Sequence, residues 1–294
     1  MHDHPTNMGP GALALVVLLV AVVGVALYIG AAVRLRRRGD AWPWWRDASV
    51  AAGAGAVAAA VLPFGAAAVL PSVAAAAVVP LPGGPFTAHM AGHLLVGMVG
   101  PLLIVLGRPV TLLLRSIPVG GTRTGLLTVL HSRPAALLTA PAVAAVLDMG
   151  GLWVLYRTPL FAAMHDDTLV AIVVHLHVFA AGMLFTVAIC RLDPLRRRYG
   201  LPHLAVVLLV AGAVHAVLAK TLYAQSPPGT MFAASDLQAG AQLMYYGGDA
   251  VGVALAVVLA VRWYSGVGRA RHAGGVGRAR ARTVTVGRAR RPAA

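Results

Sequence analysis

Long apolar stretches follow one another along almost the whole chain, and the segments between them carry most of the charged residues. An α-helix needs about 20 consecutive apolar residues to cross a bilayer. Seven stretches reach this length, at residues 11–33, 48–70, 86–106, 135–155, 168–190, 202–223 and 238–261. The pattern predicts an all-α fold, a polytopic membrane helical bundle with seven transmembrane helices. The proline-broken stretch 71–85 is interpreted as an interfacial loop.

The composition supports a membrane protein. The chain has 294 residues, of which 59% are hydrophobic and only 11% are charged, and its mean hydropathy is +0.79. A typical soluble domain has about 25% charged residues. The single cysteine, Cys190, excludes an internal disulfide framework and any metal site built on a cysteine pair.

The positive charges predict how the bundle is oriented. Of the 24 Lys and Arg residues, all but Arg157 and Lys220 lie in the first, third and fifth loops or in the C-terminal tail. Loops rich in Lys and Arg remain in the cytoplasm. The N-terminus is therefore predicted to lie outside and the C-terminus in the cytoplasm.

The chain divides into a seven-span membrane domain at residues 1–265 and a basic tail at residues 266–294. The tail repeats the sequence VGRAR three times without any apolar period. This composition predicts a disordered cytoplasmic tail that lies near anionic lipid headgroups. The net charge of +15 is explained by orientation and lipid contact, so no nucleic-acid partner is expected.

Ionisable groups inside the predicted spans share a similar depth. With the predicted orientation, five spans carry such groups in the outer half of the membrane. They are His89, His93, Asp148, His175, His177, His215 and Asp249, with Tyr245 near the last. Groups of this kind cost a few kcal/mol each in a membrane and usually face a cavity or each other. Their shared depth predicts one site that opens to the extracytoplasmic side.

The residue types in this site suit a metal ion. Neutral imidazole is a good ligand for copper and zinc. His89 and His93 are four residues apart and share a helix face, so both rings can close on one ion. His175 and His177 are about 200° apart around a helix, so only one of them can face the ion that His215 also faces. The imidazoles would be oriented by a group behind them, which is the carboxylate of Asp148 or Asp249 or the hydroxyl of Tyr245.

Other interpretations of the same residues remain open. Histidines at this spacing occur by chance, and they also serve as structural hydrogen-bonding groups between helices. Asp148 and Asp249 would equally suit a proton or ion path, as in a proton-coupled transporter. His165 lies in a predicted outer loop, where an ion can enter. His131 and His203 lie at the predicted cytoplasmic ends.

Several segments in this region resemble one known family. The segment HMAGHLLVGMVGPLLIVLGRPVTLLLR, residues 89–115, resembles the histidine-pair segment of the CtaG proteins of the caa3 type. The segment HLHVFAAGMLFTVAICRLDPLRRRYG, residues 175–200, is similar to their fifth span and the loop after it. The segment SDLQAGAQLMYYGG, residues 235–248, is similar to the start of their last span.

The resemblance implies a multi-pass protein of the bacterial plasma membrane that assists assembly of cytochrome c oxidase. It implies oxidase subunits as partners and a role in supplying copper, with no enzymatic activity. His89, His93, His175 or His177, and His215 would then hold the copper ion. The alternative is a haem-binding redox protein or a haem-modifying enzyme, with two histidines from different spans, such as His93 and His215, as axial ligands.

Overall fold

The computed structural model describes the backbone of residues 10–69, 83–196 and 199–289. It describes the side chains of residues 15–61, 83–196 and 199–265. All regular structure in these ranges is helical, which confirms the all-α class. The helices are α1 Pro10–Arg37, α2 Trp45–Val69, α3 Pro85–Leu94, α4 Gly100–Leu106, α5 Pro109–Ser116, α6 Gly121–Leu130, α7 Arg133–Leu138, α8 Pro141–Arg157, α9 Leu160–Asp166, α10 Thr168–Cys190, α11 Leu201–Ala224 and α12 Ala234–Ala289.

The described residues of all seven apolar stretches are mostly helical. Fewer of these helices have the length and hydropathy of a membrane span. In the described ranges, five helical stretches do so: Leu15–Arg37, Pro85–Ser116, Thr168–Cys190, Leu201–Ala224 and Ala234–Ser265. The predicted spans 48–70 and 135–155 correspond to α2 and to the 17-residue α8, which are outside this set. The count of seven spans therefore stays a prediction.

Two predicted segments lie partly outside the residues that the structure describes. Most of the interfacial loop 71–85 lies outside them, because the description stops at residue 69 and resumes at residue 83. The helix α12 is described through Ala289, and the disordered character expected of the tail stays a prediction. The division of the chain at residue 265 stays a prediction.

Local sequence explains where several helices begin and end. Pro85, Pro109 and Pro141 each stand at the first position of a helix, where a missing N–H costs nothing. The carboxylate of Asp167 accepts hydrogen bonds from the first N–H groups of α10. At the other end of α10, Arg191 has a φ of 47°, a left-handed conformation that ends the helix.

The third predicted span is interrupted by a π-helical turn at Leu95–Val99, between α3 and α4. Pro101 has no N–H group, so it cannot donate the usual hydrogen bond to the carbonyl of Gly97. Gly182 of α10 crosses the chain at this point. A Cβ atom on Gly182 would lie 2.9 Å from the carbonyl carbon of Gly97, so the two backbones are in close contact. Small residues allow such close approach between membrane helices.

The core of the bundle lies among α3, α8, α9, α10, α11 and α12, where Tyr156, Phe86 and Phe161 are fully buried. The helix α1 packs outside it, against α2 and α5. The hydroxyl of Tyr28 donates a hydrogen bond of 2.7 Å to the carbonyl of Gly107, which ties α1 to the end of α4. The predicted histidine site therefore belongs to the core formed by α3 and the later helices.

Candidate functional site

The helix α3, which carries His89 and His93, is anchored at its start by a carboxylate of α12. Asp236 Oδ1 accepts hydrogen bonds from the backbone N–H groups of Gly84, at 2.8 Å, and Thr87, at 2.9 Å. It also accepts one from the Thr87 hydroxyl, at 2.7 Å, while Oδ2 accepts one from Phe86 N–H, at 3.0 Å. The first N–H groups of a helix have no partner within it. Asp236 supplies that partner and fixes α3 against the last span.

A second carboxylate acts in the same way beyond the other end of the third span. Asp193, in the loop after α10, accepts hydrogen bonds from the backbone N–H of Thr111 at 2.8 Å and from its hydroxyl at 2.5 Å. Thr111 lies in the first turn of α5. The stretch from α3 to α5 is thus held at both ends by carboxylates from distant parts of the chain.

His93 and His215 form a buried pair between α3 and α11. Their ring centroids are 6.2 Å apart and the ring planes differ by 20°. Both residues are buried, with exposed fractions of 7% and 4%. Among the described residues, neither ring nitrogen of His93 has a hydrogen-bond partner, nor does Nε2 of His215. Buried polar atoms in native proteins are nearly always satisfied, so these three nitrogens require a ligand or water.

One glycine leaves room for the ring of His215. A Cβ atom on Gly248 of α12 would lie 2.6 Å from Nδ1 of His215. Any larger residue at position 248 would push the His215 ring out of its place.

A small cavity of about 20 Å³ lies beside the buried pair. Its polar lining consists of His89, His93, His175, Tyr156 and the thioether of Met164. A volume of about 10–15 Å³ is enough for one water molecule. His89 Nε2 lies 3.0 Å from the hydroxyl of Tyr156, and the His89 ring is in edge contact with Phe161. The cavity can therefore hold one water molecule or one ion.

The structure separates the two histidines of α10. His175 lines the cavity, whereas His177 is exposed and its Nε2–H donates a hydrogen bond of 3.2 Å to the carbonyl of Leu147 in α8. Nδ1–H of His175 donates to the carbonyl of Ala171 at 2.7 Å. A carbonyl only accepts, so this tautomer places the imidazole lone pair of His175 on Nε2.

The residues predicted to support the ligands lie in different surroundings. Asp148 is buried in α8, whereas Asp249 is exposed on α12 directly after Gly248. Tyr245 is half-buried, and its ring faces the Lys220 ammonium at 5.5 Å. Tyr156, which the sequence analysis did not select, is the hydroxyl that contacts His89. It follows Asp148 by eight residues, about two turns along the same face of α8, and that spacing was the available clue.

The predicted metal site is thus only partly assembled from the histidines. His89, His93 and His175 line one cavity, and His215 pairs with His93. Within the described ranges, no three His, Cys, Asp or Glu side chains converge closely enough to hold a metal ion. The donor set suits a soft ion that accepts few ligands, because Cu(I) binds imidazole and thioether groups. The metal site stays a prediction.

The fold and this site define an all-helical membrane protein with a buried imidazole cluster. The sequence matches the family described as cytochrome c oxidase caa3 assembly factor over residues 26–266. The chain belongs to that family.

Curated relatives match a smaller part of the chain. An uncharacterized protein of Mycobacterium bovis is 35% identical over 132 residues, which is 41% of this chain and 19% of that protein. An uncharacterized protein of Mycobacterium leprae is 36% identical over 111 residues, which is 34% of this chain and 16% of that protein. The match thus spans less than a fifth of these longer relatives. No solved structure matches the chain.

Proposed function

We propose that this protein assists cytochrome c oxidase assembly by holding a copper ion at the buried histidines and presenting it to the oxidase. The observation that carries the proposal is the His93–His215 pair. Three of its four ring nitrogens are without a hydrogen-bond partner in the described part of the chain, although both residues are buried. A neutral imidazole has one N–H and one lone-pair nitrogen, so a metal ion would accept one lone pair from each of the two rings. His89 with His175 would complete its surroundings from the adjoining cavity.

The size of the cavity favours an ion over haem as the ligand. About 20 Å³ admits an ion or a water molecule, whereas a haem group needs room for a whole macrocycle beside its axial ligands. Haem remains the alternative ligand, with His93 and His215 as the axial pair. An absorbance spectrum of the purified protein distinguishes the two, because haem gives an intense Soret band and Cu(I) does not.

Copper binding should depend on the buried pair. We expect detergent-purified protein loaded with Cu(I) to retain about one ion, and His93→Ala/His215→Ala to weaken its affinity by roughly 10–100-fold or more. Acidic buffer should also release the ion, because a protonated imidazole has no lone pair to donate. Competition with a chromophoric Cu(I) chelator measures the affinity.

The matched control for copper binding is His203→Ala, since His203 stacks on Tyr199 at 5.0 Å, on the side predicted to be cytoplasmic. We expect this variant to bind copper like the wild type. Expressed in a deletion strain at limiting copper, it should also restore oxidase activity, whereas the double variant should not. Copper binding that survives His93→Ala/His215→Ala but fails in His203→Ala would contradict the proposed site.

We further propose seven membrane spans in the bacterial plasma membrane, with the N-terminus outside and the C-terminus in the cytoplasm. The positive charges in alternate loops support this orientation. Reporter fusions after Arg38, Arg123 and Arg198 should report a cytoplasmic position, and fusions after Pro85 and Pro228 an external one. An external position after Arg198 would contradict the number of spans.

The proposed partners follow from this topology. The site would lie near the outer surface, so we propose that oxidase subunits receive the ion there without any enzymatic step by this protein. The arginines beyond residue 265 would contact anionic lipid headgroups on the cytoplasmic side.

A further inference from the structure

Four imidazoles form a line from the protein surface to the buried pair. His165, on the short helix α9, is exposed, and its ring centroid lies 6.3 Å from that of His89. His89 and His93 are one helical turn apart on α3. The line ends at His215, 6.2 Å beyond His93. The rings of His165 and His89 are thus close to each other, as are those of His93 and His215, and exposure falls from His165 to the buried end.

The exposed end of this line is built to present a ligand nitrogen. Nδ1–H of His165 donates a hydrogen bond of 2.8 Å to the carbonyl of Phe161. Since a carbonyl only accepts, this tautomer carries its lone pair on Nε2, the arrangement usual for metal-binding histidines. His177 is also exposed, but its Nε2–H is directed to the carbonyl of Leu147.

Two further features at the end of α9 favour a cation. Met164, the residue before His165, lines the cavity that His89 and His93 share. Thioether and imidazole together are ligands that suit Cu(I). Asp166 and Asp167 follow His165 and are exposed. Their negative charge raises the local concentration of cations next to the imidazole.

We propose that His165 is a loading site at which Cu(I) is taken up and passed, by way of Met164 in the cavity wall and His89, to the His93–His215 pair. This inference rests on the proposed function, because it assumes that the buried pair binds copper. The transfer is an exchange of ligands. At each step the lone pair of the next donor replaces that of the previous one, and the ion remains Cu(I) throughout.

The rate of loading tests this proposal separately from copper binding itself. Wild-type protein and His165→Ala are mixed with Cu(I) held by a chromophoric chelator, and the absorbance of the chelate is followed with time. We expect His165→Ala to load about tenfold more slowly or worse, the scale on which local charge and ligand concentration change association rates. The final copper content should equal that of the wild type.

Two variants and one control complete the experiment. Met164→Leu, which keeps the size of a buried side chain, should also slow loading, and His165→Met should restore part of the rate because it supplies a thioether. His177→Ala should load like the wild type.

Loading of His165→Ala at the wild-type rate would overturn the loading site. A lower final copper content in His165→Ala would overturn it as well, because His165 would then be a resident ligand. Wild-type protein that binds no copper would instead refute the proposed function.

Discussion

Replacement of Asp236 by alanine should lower the free energy of unfolding by about 3 kcal/mol or more, because a buried carboxylate that accepts several hydrogen bonds is lost. The side chain accepts from the backbone of Gly84, Phe86 and Thr87 and from the Thr87 hydroxyl. Without it, the first N–H groups of α3 are left buried without a partner. The midpoint of thermal unfolding in detergent measures the effect.

Two comparisons separate this anchor from an ordinary surface carboxylate. Asp236→Asn keeps one carbonyl oxygen but places an amide NH₂ against the remaining N–H donors, so its loss of stability should be smaller than that of Asp236→Ala. Asp40→Ala removes an exposed ion pair with Arg115 at 2.7 Å, which is worth about 1 kcal/mol or less. An Asp236→Ala variant as stable as Asp40→Ala would show that α3 does not depend on this anchor.

The same variant should affect the histidines. Phe86 is one of the residues that Asp236 anchors, and His89 follows it by less than one helical turn. A shift in the start of α3 therefore moves the ring of His89 relative to Tyr156 on α8, from which it is now 3.0 Å away. Asp236 is thus a positioning residue for the site, and it touches none of the predicted ligands.

The positions of the long helices could be predicted from the sequence, because the length of an apolar stretch is a local property of the chain. The stretch predicted at 168–190 coincides with α10, and the stretch at 202–223 lies within α11. The segment between residues 107 and 134 was interpreted as a loop, but it contains the short helices α5 and α6. Their arginines, such as Arg115 and Arg123, keep the mean hydropathy low without preventing helix formation.

Contacts between distant segments of the chain could not be predicted from the sequence in the same way. The π-helical turn at Leu95–Val99 lies next to Pro101 and against Gly182, which is more than 80 residues away. A proline in an apolar stretch is compatible with a kink, a break or a π turn. The role of Asp236 as an anchor for residues about 150 positions earlier has no local pattern at all.

For the site, the sequence limited which residues could be ligands, and helix packing determined which of them face the cavity. The spacing of His175 and His177 indicated that only one of them can face a common point, and the packing of α10 against α8 directs His175 to the cavity. Asp249, which is exposed on α12, stays a predicted supporting residue of the site. Met164 escaped attention because a thioether in an apolar stretch looks like any other core residue.

Replacement of Gly182 by alanine should cost about 3 kcal/mol, because an added methyl group would meet the backbone of Gly97, which cannot move aside as a side chain can. The helices α10 and α3 would have to separate, and the π-helical turn directly after His93 would move with them. We expect a lower midpoint of thermal unfolding and weaker copper retention together.

The matched control is Gly212→Ala on α11, where an added Cβ atom meets nothing within 4 Å. Because alanine favours helix over glycine by about 1 kcal/mol, this variant should be as stable as the wild type or slightly more stable. Equal stability of Gly182→Ala and Gly212→Ala would contradict the close crossing. A loss of stability confined to Gly182→Ala would instead show that the contact between Gly97 and Gly182 holds the turn beside the buried histidine pair.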